Sequence, residues 1–144
     1  ISAAALKVAL FNCQKHEVVD RVCLLEGDML DPLPEPVDLI AANLPYVKQS
    51  ELPHLNTLNF EPSLALDGGS DGLEKIRQLC LQISAKLRPG GCLLLEIGQK
   101  QGGAVTTFLR SLLPLAKIEL ASDLSGIERV VSLTLTTGRC REQG

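Results

Sequence analysis

Tryptophan is missing from this chain, and aromatic residues of any kind make up only 3% of its 144 positions. The core must therefore be aliphatic, and a row of rings on which bases could stack is not expected. No run of Lys or Arg occurs and the formal net charge is −3, so the electrostatic footprint of a nucleic-acid binder is absent. The five cysteines, Cys13, Cys23, Cys80, Cys92 and Cys140, are odd in number and form no Cys-x-x-Cys pair. That argues against a disulfide scaffold or a zinc site and suits a reducing, cytoplasmic setting. Cys23 and Cys92 fall in apolar runs, where a free thiol is expected to be buried as a small hydrophobe. His16 and His54 lack metal-ligand spacing, and neither a signal peptide nor a membrane-length apolar segment is found. No initiating Met is present: the chain opens at Ile1-Ser2 and reads as a fragment.

What is present is a single domain's worth of chain with 45% apolar residues and an α/β pattern. Ser2 is a plausible N-cap for an Ala-rich helix over residues 2–15. The run Val22-Cys23-Leu24-Leu25-Glu26, ended by Gly27-Asp28, reads as a strand, and Val37–Ala42 as the next. Residues 47–70 lack periodicity, and a loop of that length in a compact domain is usually functional or disordered. Asp71 is placed to cap a helix running to Leu87, with Leu73, Ile76, Leu79, Cys80, Ile83 and Leu87 on one stripe. Arg88-Pro89-Gly90-Gly91 should stop it. A buried strand over 92–97, a helix over 103–113 and two strands over 116–121 and 129–136 complete the order α-β-β-α-β-α-β-β.

Chemistry concentrates at Asn43-Leu44-Pro45-Tyr46, directly after the strand Val37–Ala42. The carboxyl end of a buried strand is where open α/β sheets bind ligands. Asn43 offers a side-chain carbonyl and Leu44 a main-chain carbonyl, two acceptors able to hold one NH2 group. Tyr46 adds a face on which a planar amide or base can lie, and Pro45 stiffens the turn. This is the make-up of a target-nitrogen clamp in an amino-methyltransferase. Equally, Asn and Pro form turns, and the same four residues serve to close a strand and open a loop, with Tyr46 as its anchor. Gly27-Asp28 likewise reads as a plain turn.

Several separated blocks carry a family likeness. They are Asp38-Leu39-Ile40 before Asn43-Leu44-Pro45-Tyr46; Glu61-Pro62 with Ala65-Leu66; Gly68-Gly69-Ser70-Asp71-Gly72-Leu73; Leu95-Glu96-Ile97-Gly98 with Gln101; and Asp123-Leu124 with Gly126 and Arg129-Val130-Val131. Together they resemble the C-terminal part of the HemK/PrmC type of class I S-adenosylmethionine-dependent methyltransferase, which methylates a glutamine side-chain amide in peptide-chain release factors. The likeness runs from the first helix to about Leu135. It implies an α/β, Rossmann-like fold that is incomplete, lacking the Gly-rich first strand-loop and the second strand, and that ends in a β-hairpin. Residues 1–137 would be the C-terminal part of a catalytic domain, and 138–144 a flexible tail.

The resemblance also implies roles. Asn43, Leu44, Pro45 and Tyr46 would be catalytic. Asp28, Met29 and Asn43 would bind S-adenosylmethionine, with Asp28 and Met29 flanking its adenine. Asn43, Pro45, Tyr46, Glu61 and Pro62 would contact the release factor, and no metal is called for. Glu96 is expected to accept hydrogen bonds from nearby loop backbone, and Asp123 to pair with Arg129. Two departures stand out. Leu44 replaces the first proline of the family's Asn-Pro-Pro-Tyr, and Asn-Leu-Pro-Tyr is what rRNA adenine dimethyltransferases resemble here. No Gly-x-Gly-x-Gly pattern occurs anywhere in the chain. An adenine-N6 methyltransferase acting on rRNA or DNA, and a non-catalytic fragment of the fold, are therefore the competing readings.

Overall fold

The computed structural model describes residues 2–54 and 61–136. These divide into two compact units, Ile1–Glu35 and Pro36–Gly144.

In the first unit, helix α1 spans Ala3–Lys15, and Ser2 caps it as expected, its Oγ accepting from the Ala5 N–H at 3.2 Å. Lys15 sits in the last turn, where its charge complements the free carbonyls. No residue of α1 is buried. A short 3-10 turn, Val19–Arg21, follows. The expected strand over 22–26 does not form. Val22 has extended dihedrals (φ −122°, ψ 120°), yet residues 22–26 join no ladder among the described residues. A run that is apolar on both faces suits an inner strand, and an inner strand exists only through neighbours that pair with it. Without that cover Cys23 is exposed, contrary to expectation, as is Leu25. The turn after it closes on itself, with the Asp31 N–H donating to the Asp28 carbonyl at 3.0 Å. A Cβ on Gly27 would stand 2.7 Å from the Pro32 ring.

The second unit holds a four-stranded sheet of β1 (Val37–Ala42), β2 (Leu87–Glu96), β3 (Lys117–Ser122) and β4 (Glu128–Thr134), in the order β1-β2-β4-β3. β1 and β2 are parallel; β4 runs antiparallel to both β2 and β3. Helices α2 (Glu74–Lys86) and α3 (Gly102–Leu112) supply the cover, α3 packing against β3, β4 and α2. Register decides which face they cover. Ile40 pairs with Leu93, Leu93 with Leu133, and Leu95 with Val131, and all five side chains are buried. Ile76, Leu79, Cys80 and Ile83 of α2, with Val105 and Leu109 of α3, complete this aliphatic core. The opposite face is open: Leu39 is 55% exposed and Leu94 39%.

Two boundaries differ from the sequence expectation for identifiable reasons. Asp71 is not the N-cap of α2. Its Oδ1 accepts from the Leu73 N–H at 3.0 Å, folding the chain two residues before the helix, and its carboxylate pairs with Arg77. β2 begins five residues early, at Leu87, because Leu87 pairs with Val37 before Cys92 pairs with Leu39. The intervening Pro89-Gly90-Gly91 is accommodated as a bulge, with Gly90 at φ 81°. Cys92 is only half-buried there; the buried thiol is Cys80 on α2.

The chain ends its described part in the expected hairpin. Asp123 Oδ1 accepts from Ser125 and Ile127 N–H groups at 2.8 and 3.0 Å, and the Arg129 Nε donates to Oδ2 at 3.0 Å. The anticipated Asp123–Arg129 pair is thus formed. The tail over 138–144 lies outside the described residues.

Candidate active site

The carboxyl ends of the two parallel strands, β1 and β2, lie side by side, Ala42 opposite Leu95. β1 delivers Asn43 and β2 delivers Glu96. Asn43 is exposed, while Leu44, Pro45 and Tyr46 are half-buried. A cavity of about 190 Å³ opens beside them, lined by Asn43, Leu44, Pro45, Tyr46, Val47, Glu61, Ala65 and Leu66. Glu61 thus lines the same cavity as Asn43, Leu44, Pro45 and Tyr46. Pro62 does not line the cavity; it is exposed and precedes the 3-10 turn Ser63–Ala65. Asp28 and Met29 belong to the first unit, Asp28 exposed and Met29 half-buried at φ 46°.

The segment after Asn43 is held by hydrogen bonds rather than by a sheet. The Val47 N–H donates to the Leu66 carbonyl at 3.0 Å, and the Gly68 N–H to the Val47 carbonyl at 2.8 Å. Glycine is needed at the contact. A Cβ on Gly68 would stand 2.8 Å from the Tyr46 Cα, and one on Gly72 2.5 Å from the Tyr46 carbonyl oxygen. Gly72 also takes φ 78°, open to glycine at no steric cost.

Tyr46 is fixed at both ends. Its hydroxyl donates to Glu96 Oε1 at 3.2 Å, so the group that engages Glu96 is a phenol and not loop backbone as expected. Burial, and then the hydrogen bond and charge of Glu96, push the phenol above its ordinary pKa, which keeps Tyr46 protonated and rules it out as a base near neutrality. Its carbonyl accepts from Gln101 Nε2 at 3.0 Å. A larger cavity of about 530 Å³ lies on this side, bordered by Tyr46, Lys48, Glu51, Asp71, Lys100 and Gln101 among others. Sequence reasoning assigned no role to Gln101, Lys48 or Lys100. Gln101 stood in the Leu95–Gly98 block of the sequence, and its place after the end of the strand parallel to β1 adds a topological signal.

Among the described residues no cluster of three His, Cys, Asp or Glu could hold a metal ion. No described helix is long and apolar enough to cross a membrane. Burial lifts the Cys80 thiol to about 11, leaving it an inert core group. What remains is a small cavity lined by the Asn43 amide, main-chain carbonyls and the Glu61 carboxylate, suited to orienting a polar group.

No family model matches the chain. Sequence comparison is decisive: it is 44% identical over 131 residues to the release factor glutamine methyltransferase of Moorella thermoacetica, covering 90% of this chain and 46% of that protein. The corresponding protein of Gloeobacter violaceus is 40% identical over 133 residues, with the same two coverages. The chain is homologous to release factor glutamine methyltransferases. It spans about half the length of the curated relatives it matches. In three dimensions it is similar to a methyltransferase from Pyrococcus furiosus, with a TM-score of 0.67 over 94% of this chain and 60% of that one, at 13% identity. That likeness establishes the fold, an incomplete Rossmann-like class I methyltransferase fold.

Proposed function

We propose that the chain is the C-terminal part of an enzyme that transfers a methyl group from S-adenosylmethionine to the side-chain amide nitrogen of a glutamine in a peptide-chain release factor. Residues 1–137 form that part of its catalytic domain and 138–144 a tail. The observation that carries the reading is the clamp itself: Asn43, Leu44, Pro45 and Tyr46 gathered with Glu61 around one cavity at the end of β1. About 190 Å³ lies below the ~300–1,000 Å³ usual for small-molecule sites, and suits a side chain better than a nucleotide.

The side chains described fit the cofactor in chemical kind. Asp28 presents an exposed carboxylate able to accept from the adenine amino group, and Met29 a half-buried apolar wall. When bound, S-adenosylmethionine supplies a methyl group on a positively charged sulfur. An amide nitrogen is a poor nucleophile because its lone pair is delocalised into the carbonyl. Asn43 and the Leu44 carbonyl accept its two hydrogens, which orients the nitrogen and raises its electron density. Orientation supplies most of the acceleration, for which ~7–11 kcal/mol is available to well-placed reactants. With the methyl transferred, the amide nitrogen would shed one proton to solvent, its remaining hydrogen held by the same acceptors. Tyr46 packs along the amide plane, and Glu61 and Pro62 contact the substrate protein.

Leu44 favours a second reading, an adenine-N6 methyltransferase of rRNA or DNA. Mass spectrometry of a Gly-Gly-Gln-bearing release factor, incubated with the full-length protein and S-adenosylmethionine, separates the two. A single methyl on the glutamine supports the first reading; methyl incorporation into nucleic acid and none into protein supports the second.

A further inference from the structure

We propose that Gln101 is a positioning residue for the acceptor-holding segment: its carboxamide fixes the main chain of Tyr46, and through it the Leu44 carbonyl and the Asn43 side chain. The inference rests on the reading of Asn43–Tyr46 as the amide clamp. Gln101 immediately precedes α3 and reaches three segments at once. Its Nε2 donates to the Tyr46 carbonyl at 3.0 Å and to the Gly72 carbonyl at 3.2 Å, while its Oε1 accepts from the Gly98 N–H at 2.8 Å. Main-chain carbonyls only accept and N–H groups only donate, so these three partners dictate a carboxamide in one orientation. A carboxylate of the same length would lose both donated bonds, and an apolar side chain all three.

The surroundings are shaped to this side chain. A Cβ on Gly72 would stand 2.9 Å from Nε2, and one on Gly98 3.0 Å from Oε1. Lys100 takes φ 67°, a left-handed conformation that is unfavourable for a non-glycine residue. That turn brings Gln101 back, its N–H donating to the Gly98 carbonyl at 3.2 Å. Pro45 fixes its own φ and narrows the backbone of Leu44, but Leu44 has no ring to restrict Asn43 in the same way. Val47 is tied on the far side, to Leu66 and Gly68. Gln101 supplies the hold on the near side. It borders the larger cavity and not the one beside Asn43, so it acts through Tyr46.

The test uses the full-length enzyme with Gln101→Met and Gln101→Glu, both keeping side-chain length. Per folded molecule, kcat for release-factor methylation is expected to fall by about ten- to a hundredfold, further in Gln101→Glu, as small misplacements do. The KM for S-adenosylmethionine and the affinity for S-adenosylhomocysteine stay within about twofold. Exchange of the Gly98 amide hydrogen, read by NMR, quickens about fivefold or more in Gln101→Met, whose side chain offers no acceptor, and not in Gln101→Glu, whose carboxylate still accepts. A purely structural residue would lower Tm and the folded fraction but not kcat per folded molecule. Unchanged kcat in both variants overturns the proposal. Should the unmodified enzyme leave the release factor unmethylated, the functional reading fails, and Gly98 exchange alone decides: faster exchange in Gln101→Met but not in Gln101→Glu sustains the positioning role, and unchanged exchange in Gln101→Met overturns it.

Discussion

Asn43 and Leu44 share one task but differ in what substitution can test. Leu44 contributes a main-chain carbonyl, which any residue keeps; Asn43 contributes a side chain. Asn43→Ala is expected to cost ~10²–10³-fold in kcat, the scale of losing one preorganised partner of a reacting group. Because Asn43 is exposed, Tm should move little. Steady-state kinetics beside a melting curve checks both. Asp123 tests the electrostatics of the last turn. Its pKa is lowered by the Ile127 N–H and then by Arg129, so the folded protein holds the charged form more tightly than the unfolded chain does. That stabilisation is present above the ordinary carboxylate range and is lost as pH falls through the lowered folded value. Asp123→Asn should therefore flatten the acid side of a Tm-against-pH curve while leaving its neutral part lower than the unmodified protein's. Asn43 to Tyr46 could be singled out because turn chemistry and strand ends are local, whereas Glu61, which lines the same cavity, was reached only through the family likeness. Gln101 was singled out with the Leu95–Gly98 block but given no role, because its partners Tyr46 and Gly72 are 55 and 29 residues away in sequence.

At the level of elements, α2 was readable from its apolar stripe, since a helix satisfies its own backbone. Residues 22–26 were misread for the opposite reason: a strand is a property of a pair, and this run has no partner among the described residues. Asp71 was misread because one Asp can fold the chain before a helix as readily as cap it. The early start of β2 shows the same thing, since only pairing with Val37 brings Leu87 into the strand. The glycine block is where an element-scale test is sharpest. Gly72→Ala would force a Cβ against the Tyr46 carbonyl at a φ that favours glycine, and should destabilise the protein by about 1–3 kcal/mol in urea unfolding. Gly103→Ala, whose Cβ meets nothing within 4 Å inside α3, should be neutral or stabilising by up to about 1 kcal/mol.

At the scale of the sheet-bearing unit, the described helices α2 and α3 cover one face, although parallel pairs such as β1 and β2 are usually buried on both. Leu39 and Leu94 stand exposed on the open side, and no Gly-x-Gly-x-Gly turn is encoded in the 144 residues. Calorimetric titration of S-adenosylhomocysteine into the 144-residue chain is accordingly expected to show no saturable heat, and into the full-length protein one site per chain. The central claim is that Asn43–Tyr46 holds a glutamine amide for methylation. The most direct measurement is mass spectrometry of the release factor's Gly-Gly-Gln peptide after incubation with full-length enzyme and with its Asn43→Ala variant. One methyl on the glutamine with the former, and a rate lower by ~10²-fold or more with the latter, is the predicted result. An unmodified glutamine, or equal rates from both proteins, would contradict it.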